Sequence, residues 1–260
     1  MSEYTVYFRT VQSSAIRTLV EALKEVLNDV NMTFHENGIK IMAMDGTKVA
    51  LVHLKLVASS FEEWICERTQ QVGVNMLSLF KLLKTIGTND TLCMFIKKSD
   101  PNRLGIQIDN KDKGMQIVSY LNLLDINEDV IQIPDVEFDS VITMQSNDFQ
   151  KLCRDMLPLH NILKITSTNG EFVLSVKGDF AEQSIKIGET VNGLTFSKQM
   201  EENKVVEGEF DLKYINLFTK STNLCSTIEI FIRQNYPLIL LYSVANLGSL
   251  KFCLAPKTED

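Results

Sequence analysis

Three histidines, two pairs of adjacent glutamates and one Met-Asp-Gly-Thr tetrapeptide are the groups here that could do chemistry, and spacing decides whether they can. His35, His53 and His160 stand apart from one another. None has a second His four residues away, or an acidic residue where a metalloprotease helix holds its base. Glu62-Glu63 and Glu201-Glu202 flank expected loops and read as solvated. Residues 44–47 echo part of a phosphatase nucleophile motif, but its second Asp is missing upstream, where Met42 or Ala43 stands; a turn is expected. The phosphate-cradling patterns G-x-x-x-x-G-K-[ST] and G-x-G-x-x-G are absent, as is the nucleophile elbow G-x-S-x-G. The expectation is a chain with no enzymatic activity, no cofactor and no metal site.

Cys66, Cys93, Cys153, Cys225 and Cys253 are odd in number and nowhere at C-x-x-C spacing, which points to a reduced compartment. The opening decapeptide MSEYTVYFRT lacks a charged-then-apolar leader, and the most apolar window, YPLILLYSVANL, is too short to span a bilayer and reads as a buried strand. The formal charge of −7 speaks against a polyanionic partner if it is evenly spread.

It is not evenly spread. Apolar spacing of three and four predicts four short helices, at 14–28, 75–86, 147–157 and 211–221. Expected inward residues are Ile16, Leu19, Val20, Leu23 and Leu27; Met76, Leu79, Phe80 and Leu83; Phe149, Leu152, Cys153 and Met156; and Leu212, Ile215 and Phe218. Asn75 and Asp211 are expected N-caps, with Gly87 and Pro158 as stops. On the opposite faces lie Arg17 and Lys24, Lys81 and Lys84, Lys151 and Arg154, and Lys213 and Lys220. Glu21 and Glu25 neutralise the first pair locally; in the other helices acidic residues keep to the ends, where a cap or dipole accounts for them. A basic helical face on an acidic chain would present cations to a polyanion from one side only. No helix rich in Arg, Asn and Gln and no aromatic platform accompanies it, so the expected contact is with phosphates and indifferent to sequence.

Most of the remainder reads as strand: 38–44, 48–56, 91–98, 104–109 and 114–121, then 140–145, 162–176, 183–188, 226–234, 238–246 and 248–255. Asn37-Gly38 and Asn169-Gly170 are hairpin turns. They lie 132 residues apart, the caps Asn75 and Asp211 136 apart, and the helix starts near Ser14 and Asn147 at a similar interval. A fixed offset near half the chain suggests a duplicated domain, although a β-rich chain also yields such coincidences. The expected division is 1–122, a connector 123–138 and 139–260. That connector, LLDINEDVIQIPDVEF, is acidic and ends its extended run at Pro134, yet carries Ile126, Ile131, Ile133 and Phe138.

The segments LVEALKEVLNDV, MAMDGTKVALVHL, GVNMLSLFKLLK, DINEDVIQIP, FQKLCRDM, LKYINLFTKSTNLCST and LAPKTED, in this order, resemble the proliferating cell nuclear antigen family, the eukaryotic and archaeal DNA sliding clamps. The resemblance covers essentially the whole chain. It implies an α+β DNA clamp fold with two similar domains per subunit, and a homotrimeric ring with helices lining the hole and β-sheets outside. Residues near Met115–Leu121 would pair with Gln183–Gly188 of the next subunit. It further implies duplex DNA threaded through the ring, with Arg17, Lys24, Lys81, Lys84, Lys151, Arg154, Lys213 and Lys220 towards its phosphates. Partner proteins (clamp loader, polymerase, flap nuclease, ligase) would dock a short peptide bearing a Gln, an aliphatic residue and two aromatics. The implied groove uses Met44, Val49, Leu51, Ile131, Ile133, Pro134, Phe138, Pro237, Ala255 and Pro256. Localisation would be nuclear, or at the replication site of a virus. The chain departs from the family at Cys253, where many relatives have Tyr; at Thr18, where a basic residue is usual; and in 167–172, which lacks a modifiable Lys. A subunit of a heteromeric checkpoint-type clamp and a clamp-fold scaffold that does not load onto DNA are the alternatives.

Overall fold

A computed structural model of the chain describes residues 3–127, 131, 134, 136–191, 193–198 and 204–257. It resolves two compact units: Met1–Gly46 with Val52–Ile131 and Ser243–Leu250, and Thr47–Leu51 with Gln132–Tyr242 and Lys251–Asp260.

The first unit holds β1 (Tyr4–Thr10), α1 (Ser13–Leu23), β2 (Asp29–His35), β3 (Gly38–Met44), most of β4 (Ala50–Val57), β5 (Glu63–Cys66), β6 (Gln70–Asn75), α2 (Met76–Leu83), β7 (Thr91–Lys97), β8 (Asp100–Asn110) and β9 (Met115–Asn122). Its strands neighbour one another in the orders β5-β1-β7-β8-β9 and β4-β3-β2-β6. Alternation along β1 sends Val6, Phe8 and Thr10 inward. There Phe8 meets the rings of Phe61 at 4.9 Å and Trp64 at 5.8 Å. The apolar stripes of α1 and α2 close this core through Ile16, Leu19, Leu23, Met76, Leu79 and Leu83, each under 5% exposed.

The second unit repeats the sequence of elements: β10 (Ser140–Gln145), α3 (Ser146–Met156), β11 (Ile162–Thr168), β12 (Glu171–Lys177), β13 (Glu182–Gly188), β14 (Thr195–Lys198), β15 (Val206–Asp211), α4 (Leu212–Phe218) running into a 3₁₀ segment Thr219–Leu224, β16 (Thr227–Ile232), β17 (Leu238–Val244) and β18 (Gly248–Leu254). The strand orders are the same, β14-β10-β16-β17-β18 and β13-β12-β11-β15. The core is again aromatic: Phe218 stacks on Phe252 at 4.5 Å, and Tyr242 meets Phe252 edge-on at 6.1 Å. The repetition extends to single hydrogen bonds. Ser13 and Ser146, both fully buried, open α1 and α3. Each hydroxyl donates over 2.6 Å to a distant carbonyl, that of Asp90 in one unit and Cys225 in the other.

Several sequence expectations are corrected. α1 ends at Leu23 rather than near residue 28, passing into a turn in which Lys24 N–H and Glu25 N–H donate to Val20 and Ala22 carbonyls. α2 ends at Leu83, so Gly87 does not stop it; the Gly87 N–H instead donates to Asp90 Oδ2 at 2.7 Å. α4 ends at Phe218 because the chain tightens there into the 3₁₀ segment. Phe80 and Leu152 are half-buried rather than core residues. Six strands, β1, β2, β5, β6, β14 and β15, were not expected.

Unpaired strand edges invite association, and most of these edges are protected. β5 and β14 are only four residues long. Leu124 pairs through both backbone groups with Gly73 on β6, at 2.8 and 3.2 Å. Only glycine permits that approach, since a Cβ on residue 73 would lie 2.4 Å from the Leu124 carbonyl oxygen. In the second unit the Lys257 N–H donates to Glu209 of β15 at 2.8 Å. Two long edges remain, β9 with eight residues and β13 with seven, and neither has a further strand beside it among the described residues.

Candidate nucleic-acid face and peptide groove

The helices carry the candidate DNA contacts. In the first unit α1 and α2 pack together, and Asn75 caps α2 by accepting the Ser78 N–H at 2.8 Å. Lys81 on α2 and Lys84 just past its end are exposed and form no ion pair with a described acidic residue. Arg17 on α1 and Lys24 just past its end are engaged at home. Arg17 Nη1 donates to the Ile86 carbonyl at 3.0 Å, and its Nε is buried. Lys24 pairs with Glu25 and lies over the ring of half-buried Phe80, 4.9 Å from its centroid. Of the expected local neutralisation by Glu21 and Glu25, only the Lys24–Glu25 pair forms among the described residues; Arg17 is held by a carbonyl instead.

In the second unit α3 packs against α4, and Asp211 caps α4 through the Lys213 N–H at 2.9 Å. Lys151, Arg154, Lys213 and Lys220 are all exposed. Lys151, Arg154 and Lys213 make no ion pair with any described residue. A cation without a local carboxylate keeps its charge available to a phosphate, whereas a paired one must first be released.

The expected groove residues divide by unit. Met44 ends β3 in the first unit and is 41% exposed. Ile131 is half-buried, while Ile133 lies outside the described residues. In the second unit the Ala255 N–H donates to the Val49 carbonyl at 3.0 Å, bringing the tail onto the segment that also holds Leu51. Val49, Leu51, Pro237 and Pro256 are half-buried; Pro134 and Ala255 are exposed. Phe138 turns inward, its ring 5.3 Å from Phe231 and 5.9 Å from Tyr236, the residue before Pro237. The C-terminal end of the connector is thus partly an anchor. Arg233 Nη1 donates to the Glu137 carbonyl at 3.2 Å, and the Gln234 N–H donates to Asp139 Oδ2 at 3.1 Å. Lys204 Nζ reaches Asp139 Oδ1 at 2.8 Å, and that hydrogen bond holds the Asp139 carboxyl below the usual carboxylate range.

Sequence reasoning missed Tyr214, whose hydroxyl lies 2.7 Å from Thr47 Oγ1, and the anchors Tyr236, Arg233 and Asp139. The one available signal was an aromatic in the otherwise polar Arg-Gln-Asn-Tyr-Pro turn. Cys253 is 9% exposed, and burial pushes its thiol up to about 11, leaving a neutral, small side chain. The groups first suspected of chemistry serve structure. Glu62 accepts the Val11 N–H at 3.1 Å, Glu63 pairs with Arg9 at 2.9 Å, and His35 and His160 each accept the N–H two residues on at 3.1 Å. Glu201-Glu202 lies outside the described residues.

Comparison with known proteins adds what geometry alone does not. The family model of the proliferating cell nuclear antigen N-terminal domain matches residues 6–132, and that of its C-terminal domain matches residues 132–257. The chain is 39% identical over 255 residues to "Probable DNA polymerase sliding clamp 1" of Paramecium bursaria Chlorella virus 1, covering 96% of each protein. Its fold superposes with a TM-score of 0.89 on the crystal structure of proliferating cellular nuclear antigen from Entamoeba histolytica, at 28% identity over 98% of this chain and all of that one. Both domain models, the viral relative and the structural neighbour agree: the chain belongs to the proliferating cell nuclear antigen family.

Proposed function

We propose that the chain is a DNA sliding clamp, a processivity factor that encircles duplex DNA as a ring of three copies and tethers replication and repair enzymes to it. The observation that carries this reading is the pair of long open edges. β9 of one copy adding to β13 of the next is a head-to-tail contact that consumes both edges, and closure after three copies leaves none exposed. The cations with no ion pair among the described residues, Lys81, Lys84, Lys151, Arg154 and Lys213, supply weak phosphate contacts, as does Lys220. Topology rather than affinity then retains a chain of charge −7 on DNA, and loose contacts let it slide.

In this reading the partner groove draws on the residues the family resemblance implies: Met44, Val49, Leu51, Ile131, Ile133, Pro134, Phe138, Pro237, Ala255 and Pro256. A short peptide with a few buried apolar anchors suits such a surface. Polymerase, loader, nuclease and ligase would dock this way, in the nucleus or at a viral replication site. The division into domains 1–122 and 139–260 with a connector 123–138 belongs to the same reading, as does action without catalysis.

Retention on DNA tests it. Labelled protein is allowed to thread onto a linear duplex tethered at one end, and the free end is then blocked with a bulky protein. Retention through a salt wash only when the end is blocked is the expected result; equal retention on open and blocked duplexes would contradict encirclement.

A further inference from the structure

The face of the β4-β3-β2-β6 ladder turned away from the first unit's core carries a concentration of positive charge that the corresponding face in the second unit lacks. A shallow groove of about 720 Å³ is lined by His35, Lys40, His53 and Lys55. A neighbouring one of about 480 Å³ shares His35 and Glu36 and adds Arg68. Lys55 and Arg68 are exposed and Lys40 is half-buried. None of the three forms an ion pair with a described residue. The other carboxylate near Arg68, Glu67, is already held by Lys98 at 2.7 Å, which leaves Glu36 as the groove's unpaired anion. The His35 Nδ1 accepts the Asn37 N–H at 3.1 Å, so the neutral ring carries its proton on Nε2.

The scaffold beneath is fixed. Position 38 requires glycine, since its φ is 131° and a Cβ there would lie 1.9 Å from the Leu56 carbonyl oxygen. The Ala58 N–H ties the hairpin tip to the Asn37 carbonyl at 3.0 Å. The matching face of the second unit has a groove of about 530 Å³ lined by His160, Lys164, Lys177 and Glu182 among others. There Lys164 pairs with Glu207 at 2.8 Å and Lys177 with Glu182 at 3.2 Å. Lysines kept only for solubility would tolerate the same pairing in both units.

We infer that the His35–Lys40–Lys55–Arg68 groove is a docking surface for an acidic polypeptide segment of a partner protein, separate from the DNA face and the peptide groove. Carboxylates of an extended chain would meet Lys40, Lys55 and Arg68 as charge-assisted hydrogen bonds. Exposed Val57 and Ser59 and half-buried Ala58 offer small neighbours for its backbone rather than aromatic rings for stacked bases, which favours polypeptide over single-stranded nucleic acid. The inference does not depend on ring closure or on DNA binding.

A fluorescein-labelled polyglutamate peptide, followed by anisotropy at low ionic strength, is the probe. The expected result is binding weakened about fivefold by Lys40→Ser with Lys55→Ser. Lys164→Ser with Lys177→Ser should leave it unchanged, and Lys81→Ser with Lys84→Ser, on the DNA face, should weaken it less than the Lys40/Lys55 change. All are surface changes, and unaltered melting temperatures confirm that each variant is folded. Three outcomes would overturn the inference. One is that polyglutamate fails to bind; another is that all three variants weaken it equally. The third is that oligothymidylate displaces the peptide and is itself weakened by the Lys40/Lys55 change, which would make the groove a nucleic-acid surface.

Discussion

Helices α1 and α3 occupy equivalent places in the two units, open on the same buried serine and yet differ in their charges. Arg17 of α1 and Lys24 just past its end are turned onto a carbonyl, a carboxylate and a ring of their own unit, whereas Lys151 and Arg154 of α3 are exposed and form no ion pair with a described residue. The outer faces show the reverse, with paired lysines in the second unit and unpaired ones in the first. What the backbone requires, the strand order and the buried serine bonds, is repeated in the two units. Surface charge carries no such constraint, and there the two units differ.

Core truncation should treat the two units alike. Phe8→Ala and Phe218→Ala each remove a ring under 2% exposed and should each cost about 3–5 kcal/mol in denaturant unfolding. A large loss in only one unit would break the equivalence. The serine pair sharpens it: Ser13→Ala and Ser146→Ala each remove a buried hydroxyl's hydrogen bond, to the buried Asp90 and the half-buried Cys225 carbonyl respectively, and losses of about 1–3 kcal/mol are expected, at the lower end for Ser146.

Charge should separate the units. Lys151→Glu with Arg154→Glu should weaken association with open-ended duplex and flatten its salt dependence by about 0.9 per phosphate contact removed, while leaving salt-resistant retention on blocked-end DNA in place. Arg17→Ala should change that association little and lower the melting temperature instead, because its guanidinium serves the Ile86 carbonyl. The opposite pattern would mean that Arg17 swings out to DNA.

The smallest effect concerns the connector. The Lys204 hydrogen bond depresses the Asp139 carboxyl, so this anchor contributes fully above the ordinary carboxylate pKa of about 4 and is lost as pH falls through the depressed value. Hydrogen exchange at residues 136–139 should be steady near neutrality and rise in strong acid, once corrected for the intrinsic rate. Asp139→Asn should show the raised exchange already at neutral pH.

The elements that were legible in the sequence are those whose signal is local. Asn75 and Asp211 cap their helices, Pro158 follows the end of α3, and Gly38 and Gly170 take positive φ at the hairpins. β1 was missed because its outward face carries Tyr7 beside inward Val6 and Phe8, which blurs the alternation; β5 and β14 are too short to show a period. Arg17 was assigned outward from helical spacing alone, which places its Cα but not where a long side chain bends. The groove residues came from resemblance, and Phe138 shows what resemblance leaves open, since its ring anchors the connector. The neutral and basic outer faces depend on which strands are neighbours, and spacing along the chain does not reveal that.

Ring closure through β9 and β13 is the central claim, and the mass of the purified protein in solution tests it most directly. Native mass spectrometry or light scattering across a wide dilution range should give three times the chain mass. A monomer at every concentration would leave both edges unpaired and contradict the account.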